Sequence, residues 1–368
     1  MSPVFGKSGQ SIHRLEDDRL LKGKGRFIDN LNFKGQAYLH IVRSYSANAK
    51  ITIKNSGSVK KMSGVLDVFT GKNLMQDGIL PIPVTLPFKR PGGGPALSEP
   101  YHALSQGTVR FVGQPVAIVV AESREQALEA AECLEVEYEE YPAVTGLLEA
   151  TKPEAPLLCS ELPDNIAAYE TLGNLQDVEE IFSNAHHVTR MELINNRLVG
   201  SPLEPRGLIC VSDPDDGKLI LHASHQSATR LHGFLCSIFK FQPEQLRVIV
   251  GDVGGGFGTK VAIYPEDILV VYAAKKLNRP IKWTATRTEE FQASVHGRDH
   301  MNVAELACDS EGRILALKVK TLANTGAYLI NQALFIPLGL MCKVITSVYD
   351  IPAIYLETRC VLTNTAPI

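Results

Sequence analysis

Ten consecutive residues, Gly251-Asp252-Val253-Gly254-Gly255-Gly256-Phe257-Gly258-Thr259-Lys260, include five glycines. Glycine reaches positive φ at little steric cost and leaves its N–H bare, so such a loop can wrap a phosphate or an oxo anion closely. Leu246 to Val250 just before it reads as a strand, an arrangement shared with nucleotide-binding loops. Both nucleotide motifs fail on spacing. A Walker A loop needs Gly-Lys followed by Ser or Thr, whereas the order here is Gly258-Thr259-Lys260-Val261. Gly254-x-Gly256-x-Gly258 is not the dinucleotide fingerprint, and Pro265 is expected to interrupt the helix that fingerprint requires. The bland alternative is a tight loop that holds nothing.

Other side chains capable of chemistry are fewer. His222, His225 and His232 suggest a metal triad, with 225 and 232 about two turns apart on one helical face. No acidic partner accompanies them, and His222 falls on the preceding strand, so no metal ligand is assigned. Seven scattered cysteines with no Cys-x-x-Cys encode neither a disulfide framework nor a local iron–sulfur cluster. Reduced thiols in a cytoplasmic protein are the simpler reading. If the protein does redox chemistry, its electrons leave through another chain. Arg206 and Arg230 fit ion pairs better than anion clamps, though either could reach a phosphate.

The elements that must position these residues follow a mixed pattern. Ala37 to Val42 and Pro115 to Ala121 read as strands, the second as a buried apolar run. Ser123 with Gln126 spells a capping box, and Ala127, Leu128, Ala130, Ala131 and Leu134 supply the helical stripe. Pro81 to Pro100, containing Pro91-Gly92-Gly93-Gly94-Pro95, reads as a long surface loop. Thr145 to Asp164, with three prolines, reads as an extended connection. Beyond it come a helix start at Asn174 and Asp177, and strands at His187–Ile194 and Gly207–Val211. A tight turn at Asp213–Gly217 leads into a partner strand at Lys218–Ala223. A helix over Glu266–Leu277 and a strand over Ile281–Ala285 follow the loop. Asp309–Gly312 joins a second hairpin. The fold class is α+β. The domain reading is a polar arm at 1–22, a first domain at 23–142, a connection at 143–173 and a second domain at 174–368.

With 368 residues, 45% of them hydrophobic, and a formal charge of −3, the chain has apolar material for more than one core and no global basic field. Nucleic acid is excluded as a main partner. No apolar run approaches the roughly 20 residues of a membrane span, and Met1 to Gln10 carries no apolar signal core.

The run Gly254-Gly255-Gly256-Phe257-Gly258-Thr259-Lys260-Val261, followed by Tyr264-Pro265, resembles the molybdenum hydroxylases, the xanthine dehydrogenase and aldehyde oxidase family. Within that family it looks most like large subunits of the carbon monoxide dehydrogenase type. Arg19 to Asp29 is similar to the family's opening. Phe111-Val112-Gly113-Gln114-Pro115-Val116 and Val136-Glu137-Tyr138-Glu139-Glu140 match its a/b hammerhead domain. Asn195-Asn196-Arg197 and Leu203-Glu204-Pro205-Arg206 match the entry to its molybdopterin-binding domain, of which 174–368 would be the first part. The resemblance covers nearly the whole chain.

It implies a molybdopterin cofactor, the cytosine dinucleotide form included, lying against Gly254, Gly255, Gly256, Phe257 and Gly258. By alignment of His225-Gln226-Ser227-Ala228-Thr229, Gln226 would hydrogen-bond a molybdenum ligand, an amide NH2 donating without adding charge. The alternative for Gln226 is a helix-start residue satisfying nearby backbone. The reaction implied is oxidation of a small molecule such as an aldehyde, an N-heterocycle or CO. Water supplies the oxygen, and electrons pass to an iron–sulfur small subunit and an FAD medium subunit. Purine hydroxylases of the family carry glutamate where this chain has Val261, which weighs against a purine. The resemblance also places the general-base glutamate, and an arginine-containing active-site loop, beyond Thr363-Asn364-Thr365-Ala366-Pro367-Ile368. No catalytic residue is therefore assigned within the chain, which is expected not to turn over alone and to need a chain supplying the C-terminal molybdopterin domain. Leu334–Leu340 and the strand Ile351–Leu362 are the expected uncovered interface, leading to aggregation or dye binding in isolation. The competing readings are a truncated, non-catalytic scaffold without cofactor and, less well supported, a nucleotide-binding module.

Overall fold

The computed structural model describes residues 9, 11, 13–84, 87–213, 217–330 and 333–368. It is built on two main sheets. In chain order the strands are β1 (Ala37–Arg43), β2 (Val65–Thr70), β3 (Pro115–Ala121), β4 (Ile166–Leu172), β5 (His187–Asn195) and β6 (Gly207–Ser212). They continue with β7 (Leu219–Ala223), β8 (Leu246–Ile249), β9 (Ile281–Thr284), β10 (His300–Cys308), β11 (Ile314–Gly326) and β12 (Ala353–Leu362). The helices that matter here are α1 (Arg124–Glu132), α2 (Leu175–Asn184), α3 (Ala228–Phe239), α4 (Pro265–Leu277) and α5 (Arg287–Ala293).

The first sheet has seven strands in the order β8-β7-β6-β9-β1-β3-β2. It joins regions that the sequence reading assigned to different domains. β1 runs parallel to β9, with Ala37 opposite Ile281 and Tyr38 opposite Lys282. All seven residues of β3 are buried, as a strand paired on both sides and covered on both faces requires. α4 packs on β3, β6, β7 and β9 and is buried continuously from Pro265 to Ala274. The second sheet has five strands in the order β4-β12-β11-β10-β5.

Several local expectations meet their mechanism. Ser123 caps α1, its hydroxyl accepting from the Gln126 amide at 3.2 Å. The reciprocal half of the capping box is absent, because the Gln126 side chain lies against Gly64, where an added Cβ would stand 2.2 Å from its nitrogen. Asn174 caps α2 through the Gln176 amide. Around the expected turn at Asp213–Gly217, Gly217 N donates to Asp213 O at 3.0 Å; residues 214–216 lie outside the described residues. Part of the polar arm, residues 1–8, 10 and 12, also lies outside them.

Three expectations are corrected. Residues 145–164 are not an extended connection. They fold around buried Asn165, whose side chain donates to Ala150 O and Pro156 O and accepts from Leu158 N. Leu147, Leu158 and Leu162 sink into the main core there. Pro265 does not break a helix but opens one, as the first residue of α4. Its missing N–H would be unbonded at that position anyway, and its fixed φ suits the first turn. The C-terminal strand is not an uncovered surface. β12 is held between β11 and β4, with Leu356 and Cys360 essentially inaccessible. Leu334–Leu340 divides, with Leu334 and Leu338 buried and Phe335 and Ile336 exposed.

A buried ion network ties the sheet to its helices. Arg43 on β1 meets Glu266 at 2.7 Å and Glu289 at 3.0 Å. Arg206 meets Glu266 at 3.1 Å and Glu290 at 3.0 Å, with its guanidinium 3.8 Å from the Tyr264 ring centroid. Burial alone would raise the Glu266 carboxyl, but Arg206 and Arg43 outweigh it and hold it at about 2. Arg206 is thus an interior ion-pair residue, not an anion clamp.

Candidate cofactor-binding site

Both ends of the glycine loop are anchored by carboxylates. At its start, Asp252 is gripped by Arg19, with Nη2 at 2.8 Å from Oδ1 and Nη1 against Oδ2, and it accepts from Arg26 N at 2.5 Å. The Arg19 hydrogen bond holds the Asp252 carboxyl at about 2. Further along, Glu204 Oε2 accepts from Gly254 N at 2.8 Å, Lys260 Nζ at 3.0 Å and Ser224 Oγ at 2.6 Å. The ammonium of Lys260 is fully inaccessible and donates also to Ser224 Oγ at 2.7 Å. Burial lowers its pKa, and Glu204 opposes that pull. A lysine in such a place needs a carboxylate beside it. In the sequence, Glu204 stands out only as part of the tetrapeptide Leu203-Glu204-Pro205-Arg206, and Lys260 only as the loop's end. An isolated lysine set in a glycine and apolar run was the available signal.

Close approach explains two of the glycines. A Cβ on Gly254 would lie 2.5 Å from Glu204 Cβ, and one on Gly256 would lie 2.5 Å from the Gln226 amide carbon. Gly258 has φ +89° and nothing within 4 Å of its would-be Cβ, so its exposed side opens to space. Phe257 between them is left-handed at φ 50° and 76% exposed, a conformation and an exposure that a large apolar residue rarely combines without a role.

Gln226 precedes α3 and belongs to the loop as much as to the helix. Its Oε1 accepts from Gly258 N at 3.1 Å and Lys260 N at 3.2 Å, and its own N donates to Lys260 O at 2.7 Å. With the oxygen fixed by two amides, the side-chain NH2 is the free donor. It has no hydrogen-bond acceptor among the described residues. The structure therefore brings Gln226, Gly254, Gly255, Gly256, Phe257 and Gly258 together on one surface.

That surface borders a cleft of about 700 Å³. Phe257, Gly258, Val261, Ile330 and Ile336 supply apolar lining, His300 and Asn324 polar lining, and Ile368 also reaches it. The Tyr264 hydroxyl fixes the loop to this wall by donating to Thr259 O at 2.6 Å and accepting from Val295 N at 3.1 Å. The histidines do not converge. His225 lies before the helix rather than on it, its ring bonded to Ala262 O and Ser227 N, while His232 bonds Pro243 O. Among the described residues no three His, Cys, Asp or Glu side chains group as metal ligands would, and no helix is long and apolar enough to cross a membrane.

Residues 159–368 match the family model described as molybdopterin cofactor-binding domain, and residues 22–142 match that of the aldehyde oxidase and xanthine dehydrogenase a/b hammerhead domain. The nicotine 6-hydroxylase large subunit of Paenarthrobacter nicotinovorans is 32% identical over 98% of this chain and 43% of its own length. The carbon monoxide dehydrogenase large chain of Hydrogenophaga pseudoflava is 30% identical over 96% of this chain and 44% of its own. The crystal structure of quinoline 2-oxidoreductase from Pseudomonas putida 86 superposes with a TM-score of 0.87 at 32% identity, covering 98% of this chain and 45% of that one. The chain thus spans under half the length of these relatives.

Proposed function

Because the chain belongs to the aldehyde oxidase and xanthine dehydrogenase family of molybdenum hydroxylases, we propose that it forms one wall of a molybdopterin site, with Gly254, Gly255, Gly256, Phe257, Gly258 and Gln226 against the cofactor. The observation that carries this is the Gln226 amide. Its oxygen is consumed by two loop amides, which leaves its NH2 free at the rim of an open glycine surface. A neutral donor held there suits an oxo ligand without adding charge. The cradle fits the group: the loop's glycines admit no Cβ on the braced side and meet nothing at Gly258.

When bound, the molybdenum centre supplies two-electron oxidation of a small molecule, with water as the oxygen source. This chain's residues bind and orient. The Gln226 NH2 and the loop amides not already bonded within the chain face the cofactor, Phe257 and Val261 shape the apolar side of the cleft, and Glu204 with Lys260 keeps the loop from moving. Val261 favours an aldehyde, a non-purine heterocycle or CO over a purine. The division into an arm (1–22), a hammerhead domain (23–142), a connection (143–173) and a cofactor domain (174–368) belongs to this reading. So do iron–sulfur and FAD subunits that take the electrons.

The test is molybdenum and pterin analysis of the chain purified, with whatever copurifies, from the organism that makes it. Near-stoichiometric molybdenum and pterin are expected, both falling at least severalfold in Gln226→Leu and Gly256→Ala. If the wild-type preparation contains neither, the proposal fails, and a scaffold without cofactor is what remains.

A further inference from the structure

Besides the glycine loop, the cleft is lined by a turn carrying His296, Arg298 and His300, and by Ile368. That turn is strained. Arg298 and Asp299 are consecutive non-glycine residues in the left-handed region, at φ 67° and 63°. Such backbone persists where its surroundings over-determine it. Asp299 is held three times over. Its O accepts from Asn324 N at 3.0 Å, and its Oδ2 accepts from Asn324 Nδ2 at 2.9 Å and from Arg197 Nε at 2.9 Å.

Arg197 does more than pair with Asp299. A two-residue ladder, His296 on Val199 and Gly297 on Leu198, brings it against the turn. Its Nη1 donates to Ala366 O at 3.2 Å and meets His296 Nδ1 at 3.0 Å, while its Nη2 donates to Thr365 Oγ1 at 2.6 Å. One planar fork thus joins two segments of the cleft wall that are far apart in the chain. A guanidinium has protons to give and no lone pair to offer. His296 Nδ1 must therefore be the acceptor, and the ring's proton sits on Nε2, which donates to Phe291 O at 3.0 Å. Burial lowers the pKa of His296 and Arg197 lowers it further, against the opposing pull of the Phe291 carbonyl and Asp299.

We infer that Arg197 is a positioning residue of the cleft: it locks the strained turn to the segment 365–368 and fixes His296 as a neutral ring protonated at Nε2. Its bearing on function rests on the cofactor reading above; the contacts themselves do not. None of its four acceptors braces the glycine loop, which Glu204, Gln226 and Tyr264 hold. Arg197 therefore shapes the cleft without retaining the cofactor. Lysine in its place can keep the ion pair with Asp299 but cannot reproduce the fork.

The full chain, with whatever copurifies, is labelled with nitrogen-15 histidine, and His296→Gln assigns the signal. In the wild type near neutral pH, His296 Nδ1 is expected to resonate as an unprotonated nitrogen and Nε2 as a protonated one. Arg197→Lys is expected to raise the protonation constant of His296 about threefold or more and to average the two nitrogen signals. Its molybdenum content is expected to stay within about twofold of the wild type, unlike that of Gln226→Leu. A wild-type spectrum with the proton on Nδ1 overturns the inference, whether or not the variant folds. So does a folded Arg197→Lys protein with His296 unchanged, or one that loses molybdenum as fully as Gln226→Leu. A wild type without molybdenum removes the cofactor reading alone, and the His296 spectrum still decides the role of Arg197.

Discussion

Two loops in this chain contain three consecutive glycines, and they use them for opposite ends. In the loop at 91–95 a Cβ on Gly92 or Gly93 would touch nothing within 4 Å. Glycine is there to turn the chain back on itself, with Gly93 N on Arg90 O at 3.1 Å and Lys89 bridged to Pro95. In the loop at 251–260 two of the glycines are there because something is too close for a side chain: Glu204 at Gly254 and Gln226 at Gly256. Composition does not distinguish a loop that must bend from a loop that must be approached. A buried brace beneath it does.

That contrast can be broken in four places. The largest effect is expected in Glu204→Ala, which leaves the inaccessible Lys260 ammonium without its counter-ion. Removing one partner of a buried pair typically costs about 3–5 kcal/mol. Urea unfolding followed through the single tryptophan, Trp283, buried beside Arg206, would read it; an unchanged midpoint would remove the brace from the account. Gly254→Ala comes next, at about 1–3 kcal/mol for forcing a methyl against Glu204 Cβ, measured the same way. A third effect is pH-dependent. The Asp252 carboxyl sits at about 2 because Arg19 holds it. Its folded value lies below its unfolded one, so its contribution is complete above about pH 4 and disappears as pH falls toward 2. Amide protection across 251–256, taken relative to the intrinsic exchange rate at each pH, should fall in that window in the wild type, while Asp252→Asn should already be less protected at neutral pH. The smallest effect belongs to the other loop. Gly93→Ala meets only the left-handed backbone penalty, about 1 kcal/mol, and should leave molybdenum content unchanged. A cofactor loss there equal to that of Gly256→Ala would erase the distinction.

Much of the local structure was legible in the residues. Ser123 and Asn174 stood where helices begin, the apolar run at 115–121 became a central strand, and the hairpin at Asp309–Gly312 formed where turn residues clustered. What was hidden is non-local. Nothing near Glu204 in the chain announces that Lys260 will need it, and nothing near Arg43 points to Glu266. Pro265 misled for a different reason: proline forbids a helix interior but favours a helix start, and only the boundary decides which applies. β12 misled because an apolar strand reads alike whether its neighbours are present or missing.

The parallel pairing of β1 with β9 also sets a timetable for synthesis. Ala37 and Tyr38 leave the ribosome roughly 240 residues before Ile281 and Lys282, the partners they finally lie beside. At about 5–20 residues per second that is a wait on the order of 10–50 s. Throughout that interval one side of β1 has no neighbour, so the seven-stranded sheet cannot close until Ile281–Thr284 has been made. The nascent protein must therefore keep its earliest strand from pairing elsewhere while its final neighbour has yet to be translated.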